Sequence, residues 1–325
     1  MKFIITIDTE GDNQWDHGRD LSVHNIKYVP RFQELCNKYS IKPTYLVTSE
    51  VCNDPFSREI FSLYNREQQA EIGAHLHSWT TPPFVDEDGF RENDPEHAFA
   101  SELPVELLNS KIRNLTGQIE NSFGKRPTSF RSGRYGFNIH VAKSLLDYGY
   151  LVDSSVTPFV SWASQKGLHH GQGGPDFISS PPFPYEYKFQ EGSITEIPIT
   201  TLPTRFPLNR NRRLAEYYFR NVNNNLLLRG LRKIFYSNQP DWLRPTPEAD
   251  IALFRTLINE ADRLKLPFIT MMFHSSELMP GCSKYRPDKN SIEELYILLE
   301  DLFILLKVKN IESATLTEAA KSINP

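Results

Sequence analysis

Cysteine is scarce in this sequence. There are three, Cys36, Cys52 and Cys282, none in a CxxC pair. That sparse, odd set excludes a disulfide scaffold and points to reduced thiols, the cytoplasmic pattern. Long apolar runs are also missing. Nothing approaches the roughly 18 residues of a membrane span, and the first residues form a short apolar stretch (Phe3, Ile4, Ile5, Ile7) without the longer core and small-residue site of a signal peptide. Charge of one sign is lacking overall. A net −4 over 325 residues gives neither a nucleic-acid footprint nor an acidic tail. HExxH, GxSxG and P-loop patterns are absent, which leaves zincin, serine-hydrolase and nucleotide-triphosphatase readings without residues. His169-His170 and the following GQGGP read as a loop, since a Gly-rich run without a flanking strand and helix is no phosphate cradle.

With 39% hydrophobic and 23% charged residues, the chain has the material for a packed core. Short apolar strands alternate with helical patterns. Strands are expected at 2–8, 42–48, 71–75, 129–131, 150–154, 194–199, 268–274 and near 311–314. Helices are expected at 26–39, 58–69, 104–123, 139–148, 248–264 and 291–307. This alternation predicts an α/β fold whose parallel sheet closes into a barrel, with Asp8, His75, Arg131, Asp153 and His274 at the strand ends where such barrels build their sites. Two stretches depart from it. Residues 80–100 form an acidic, Pro-containing loop expected over the mouth. Residues 205–244 carry nine Arg or Lys against two acids, Glu216 and Asp241, and lie in a helical insertion spanning 205–247. One reading of the insertion is a helix packed on the barrel by its apolar face. The other is peripheral contact with an anionic membrane.

In TIDTEGD, Asp8 and Glu10 face the same way on an extended backbone. Two such carboxylates repel unless a cation binds or one keeps a proton. In EIGAHLHSW, His75 and His77 are also two apart, and neutral imidazoles suit zinc and related metals. Two histidines with one carboxylate can make a facial triad with open positions.

These two motifs, followed by FRSGRYG, GYLVDSSVTP and ITMMFHSSEL, stand in the order of the motifs of the polysaccharide deacetylase family, carbohydrate esterase family four, which the chain resembles over residues 6–277. The resemblance implies an irregular (β/α)7-type barrel, Asp8 as general base, Glu10 and His75 as metal ligands, Arg131 as the residue orienting the base, and His274 as general acid. It also implies a divalent cation, Zn2+ foremost, with Co2+, Ni2+ or Mn2+ as substitutes. The substrate implied is an N-acylated amino sugar of a glycan or glycan precursor. The cysteine pattern places the chain in the cytoplasm, and membrane contact by the basic insertion would favour a lipid-linked precursor at the inner membrane surface. The family's second metal histidine comes four residues after the first, where this chain has Trp79. His77 is therefore inferred to take that place. Glu10 stands where aspartate is usual, with Asp12 as a substitute ligand, and Ser132-Gly133 replace a proline-containing turn. Trp79, Arg134, Tyr135 and Asp153 are expected to contact substrate, with Phe84 and Trp162 as further stacking faces. These departures mark a divergent branch. They leave two rivals, a cyclic amide or ureide hydrolase and a barrel that only binds glycan.

Overall fold

The computed structural model describes residues 1–14, 21–84, 98–166, 171–235 and 238–323. The expected cover loop at 80–100 lies outside these from 85 to 97, and so do His169 and His170 of the expected Gly-rich loop.

The strands are β1 (Lys2–Thr9), β2 (Thr44–Val47), β3 (Glu71–Leu76), β4 (Ser129–Ser132), β5 (Val152–Asp153), β6 (Tyr185–Phe189), β7 (Gly192–Glu196), β8 (Thr201–Leu202), β9 (Asp241–Trp242) and β10 (Phe268–His274). The main sheet runs β10-β1-β2-β3-β4-β5-β7-β6. The first seven strands of that order are parallel, and β6 adds an antiparallel edge. Beyond β7 the chain turns toward β10, where Thr200 N donates to Thr270 O at 3.0 Å. The expected α/β barrel of the (β/α)7 type is thus the observed architecture.

Around the sheet lie α1 (Val29–Lys38), α2 (Ser49–Asn53), α3 (Pro55–Arg66), α4 (Val105–Phe123), α5 (Ile139–Asp147), α6 (Arg212–Asn221), α7 (Leu226–Phe235), α8 (Ile251–Arg263), α9 (Lys289–Val308) and α10 (Leu316–Ile323). Helix α4 shows why they form. Leu107, Leu108, Ile112, Leu115 and Ile119 fall on one buried face, and Gly124 ends the helix at φ 76°. In β1, Phe3, Ile5 and Ile7 pack with these helices, while Ile4 joins Leu46, Val152, Ile197, Leu316 and Ala319 in a smaller cluster. Strand alternation puts Asp8 on the face of Ile4.

Three expectations need correcting. The strand near 311–314 is a single bridge from Ser313 to Phe3, because α10 follows at once. The helix expected from 26 splits, with a 3-10 turn at His24–Tyr28 leading into α1, whose first turn holds Pro30. Among the described residues of the insertion, α6 and α7 alone are α-helical, and the return passes through β9. Helix α6 packs on the barrel through Ala215, Tyr218 and Phe219. No helix among the described residues is long and apolar enough to cross a membrane.

Candidate metal and acid–base site

Strand register assembles the site. Asp8 pairs with His274 across β1 and β10, and His75 pairs with Arg131 across β3 and β4. Each motif closes its strand at the same end of the sheet, so residues distant in sequence become neighbours.

Glu10, His75 and His77 are buried and offer ligand atoms all within 4.8 Å of one another. His77 Nε2 lies 2.9 Å from Glu10 Oε2, and His75 Nε2 lies 3.6 Å from the same oxygen. His75 Nδ1 sits 3.0 Å from Arg131 O. A proton there is donated to the carbonyl and leaves Nε2 as the lone-pair donor. Burial pushes the His77 imidazole down to about 4, which keeps it in the neutral, ligating form at neutral pH. In His75 burial pushes the same way, but the Asp8 and Glu10 carboxylates outweigh it and the ring is raised. Burial alone would raise Glu10, yet His274 and hydrogen bonds from His75 and His77 hold it well below its usual value. This donor set, two imidazole nitrogens and a carboxylate oxygen converging on one point, fits a divalent cation of the zinc type.

Asp8 lies beside the cluster, its Oδ2 3.9 Å from His75 Nε2. Arg131, fully buried, donates to Asp8 Oδ1 at 2.6 Å and to Ser154 O at 2.7 Å. Burial pushes the Asp8 carboxyl up, but Arg131 first, then His75 and His274, bring it below its ordinary value. On the other side His274 Nε2 is 4.0 Å from Glu10 Oε1. His274 Nδ1 is 3.2 Å from Glu277 Oε1 and 3.0 Å from Arg244 Nη2.

Glu277 and Arg244 were not singled out in the sequence. Glu277 is fully buried and ion-paired to Arg244 at 2.7 Å. Burial would raise its carboxyl, but Arg244 and then His274 bring it down to about 2. A signal for Glu277 was present, since it falls three residues after His274 and reaches back to His274 N at 3.1 Å. Arg244 comes from β9's far side and had no such local mark.

Asp12 does not join the ligand cluster. Its carboxylate accepts from Ser22 Oγ, His24 N and Asn25 N, each at 2.8 Å. Asp153, expected to contact substrate, is completely buried and accepts from Ser155 N and Oγ, both at 2.8 Å. Trp79 lies against His77 with ring centroids 4.5 Å apart, and its indole N–H donates to Gln14 O. Tyr135 stacks on Trp162 at 4.9 Å and neighbours Trp242 at 6.1 Å. Arg134 lies over the Phe99 ring at 4.9 Å, and Phe84 is 5.4 Å from Lys111 Nζ.

The FRSGRYG motif has a steric reason. A Cβ on Gly133 would sit 2.5 Å from His77 Nδ1 and 2.7 Å from Leu76 O. Only glycine lets this backbone pass so close to the imidazole. Arg134 and Tyr135 follow at φ 53° and 63°, a strained pair of conformations that sets Tyr135 in the aromatic wall. Beneath the His77 loop, fully buried Lys111 donates to Ser78 O, Thr81 O and Pro83 O.

No protein-family model matches the sequence, and no curated protein matches it. Solved structures do match. A "putative polysaccharide deacetylase" from Mycobacterium smegmatis superposes at a TM-score of 0.52 with 13% identity, covering 97% of this chain and 93% of that one. A family 4 carbohydrate esterase from Streptomyces lividans, in complex with acetate, gives 0.43 at 10% identity over 96% and 91%. A CE4 family pseudoenzyme from Bacillus anthracis gives 0.43 at 12% over 98% and 65%. The chain thus shares the fold of the Mycobacterium smegmatis structure over nearly its whole length, at low sequence identity.

Proposed function

We propose that this chain is a metal-dependent hydrolase that removes an N-acyl group, acetyl foremost, from an amino sugar of a glycan or glycan precursor. One observation carries the reading. The Glu10–His75–His77 cluster is flanked on one side by an ionised carboxylate fixed by a buried arginine, and on the other by an imidazole backed by a buried carboxylate. A binding surface has no need of a base, an acid and a cation site in one buried ring.

Glu10, His75 and His77 would hold the cation. When bound, a divalent cation of this type polarises the acyl carbonyl and acidifies water at the same place. Zn2+ suits two nitrogens and one oxygen, and Co2+, Ni2+ or Mn2+ are chemically acceptable there. Asp8 accepts the proton of the attacking water on its carboxylate, and Arg131 keeps that carboxylate ionised and fixed. His274, whose Nδ1 faces the Arg244–Glu277 pair, gives a proton from Nε2 to the departing nitrogen as the C–N bond breaks. The products are a carboxylic acid and an amine, and Asp8 and His274 each recover their starting proton state by exchange with solvent. Trp79, Tyr135 and Arg134 line or adjoin the site and are proposed to contact the sugar. A cytoplasmic placement belongs to this proposal on the strength of the sparse, unpaired cysteines.

The test is acetate release from N-acetylated amino sugars by the zinc-loaded chain, alongside its metal content. Metal near one ion per chain with acetate release supports the reading. A fully loaded chain that releases no acyl group from any N-acyl sugar, soluble or lipid-linked, would overturn it.

A further inference from the structure

The excursion between β8 and β9 places apolar side chains in water. Leu226 and Leu227 are 81% and 83% exposed, Phe206 77% and Tyr217 57%. The inner face of the same excursion is well packed, with Leu208, Ala215, Tyr218, Phe219 and Val222 buried in the main core and Leu228 lying against it. The outward leucines therefore belong to an anchored element rather than a loose tail. Asn225 Oδ1 accepts from Leu227 N at 2.9 Å and Leu228 N at 3.3 Å, which fixes the first turn of α7. Isolated exposed leucines need no explanation. Two adjacent ones at this exposure, in an excursion that also exposes Phe206 and Tyr217, do.

The charge around the patch selects its partner. Arg205, Arg210, Arg212, Arg213, Arg220 and Arg229 of this excursion are exposed, against two partly buried acids, Glu216 and Asp241, in a chain whose net charge is −4. A two-fold dimer through this patch would set two cationic surfaces face to face. An anionic bilayer offers negative headgroups to the arginines and an acyl boundary to the leucines, the combination that holds interfacial helices.

The patch is rooted at the site. Arg220 bonds Asp176 at 2.5 Å and Arg212 bonds Ser179 O at 2.8 Å, in the segment following Trp162. At the other end β9 delivers Trp242 to the Tyr135–Trp162 wall and Arg244 to His274.

We infer that α6 and α7 dock on an anionic lipid surface through Leu226, Leu227, Tyr217 and Phe206, presenting the site to an acyl sugar held at that surface. The substrate class, a lipid-linked glycan precursor, rests on the hydrolase reading above; the docking itself does not.

The experiment compares sedimentation of the full chain with vesicles of phosphatidylcholine alone and of phosphatidylcholine with phosphatidylglycerol. Binding to the anionic vesicles should be at least about tenfold tighter and should weaken with salt. The double variant Leu226→Asp, Leu227→Asp should lose at least about tenfold of that binding and retain hydrolysis of a soluble N-acetyl sugar oligomer. Absence of wild-type binding, or equal binding by the variant, would overturn the docking. So would a wild-type dimer that the variant converts to monomer without any vesicle binding. Vesicle binding with no hydrolysis of any N-acyl sugar would uphold the docking and overturn the activity it rests on.

Discussion

Glu277 Oε1 stands 3.2 Å from Nδ1 of His274, and the same oxygen accepts from Arg244 Nη2 at 2.7 Å. The imidazole is held from behind by a buried ion pair, which orients Nε2 toward Glu10.

Replacing Glu277 with glutamine should lower kcat while leaving KM nearly unchanged, because Glu277 acts through His274. The drop should be smaller than the roughly 10²–10⁴-fold that a general acid itself contributes. Equal loss from His274→Ala and Glu277→Gln would instead give the carboxylate a direct part in the reaction. Stability offers a second readout. Glu277 falls from an ordinary 4.5 to about 2 in the fold. A lowered carboxyl stabilises the fold above its unfolded value and loses that contribution as pH falls through its folded value. Wild-type Tm should therefore drop between pH 4.5 and about 2, and the Glu277→Gln variant should lack that part of the drop.

Asp8→Asn should retain the cation and lose about 10²–10⁴-fold in kcat/KM. Metal analysis and steady-state kinetics on one preparation check it. Undiminished turnover would remove Asp8 as the base.

His77→Ala should weaken cation affinity by more than the roughly 10–100-fold typical of losing a supporting hydrogen bond. Gly133→Ala should weaken it as well, since its methyl would sit 2.5 Å from His77 Nδ1 and must displace the ring. Zinc titration by calorimetry reads both. Unchanged affinity in His77→Ala would pass the ligand role elsewhere.

Asp153 and Glu196 pair across β5 and β7, both completely buried. Burial first, then the Asp153 carboxylate, pushes Glu196 well above its usual value, so Glu196 keeps its proton in the fold. The unfolded chain releases that proton above about pH 4.5, and folding must then take it back, so stability falls as pH rises. Glu196→Gln carries no such proton. Its Tm advantage over wild type should grow from below pH 4.5 to neutral pH; a constant difference would mean that Glu196 ionises in the fold.

The Glu10–His75–His77 cluster was legible because its residues lie at strand ends. A period of two puts Asp8 with Glu10 and His75 with His77 on one side wherever the backbone is extended, and β1 and β3 run to Thr9 and Leu76, one residue short of Glu10 and His77. The alternation of apolar strands and amphipathic helices likewise specified the α/β barrel, since each pattern can bury its apolar side only in layers. The sequence also marked residues 205–244 as basic and amphipathic. Tertiary structure decided what no local pattern carries. Asp12 and Asp153 were plausible site carboxylates by position, but neighbouring amides and hydroxyls hold both. Arg244 reaches His274 from thirty residues away because β9 returns along the mouth. Gly133 matters because a backbone passes an imidazole that its own motif does not contain. Periodicity sets which way a side chain faces; which partner it meets depends on how distant segments pack.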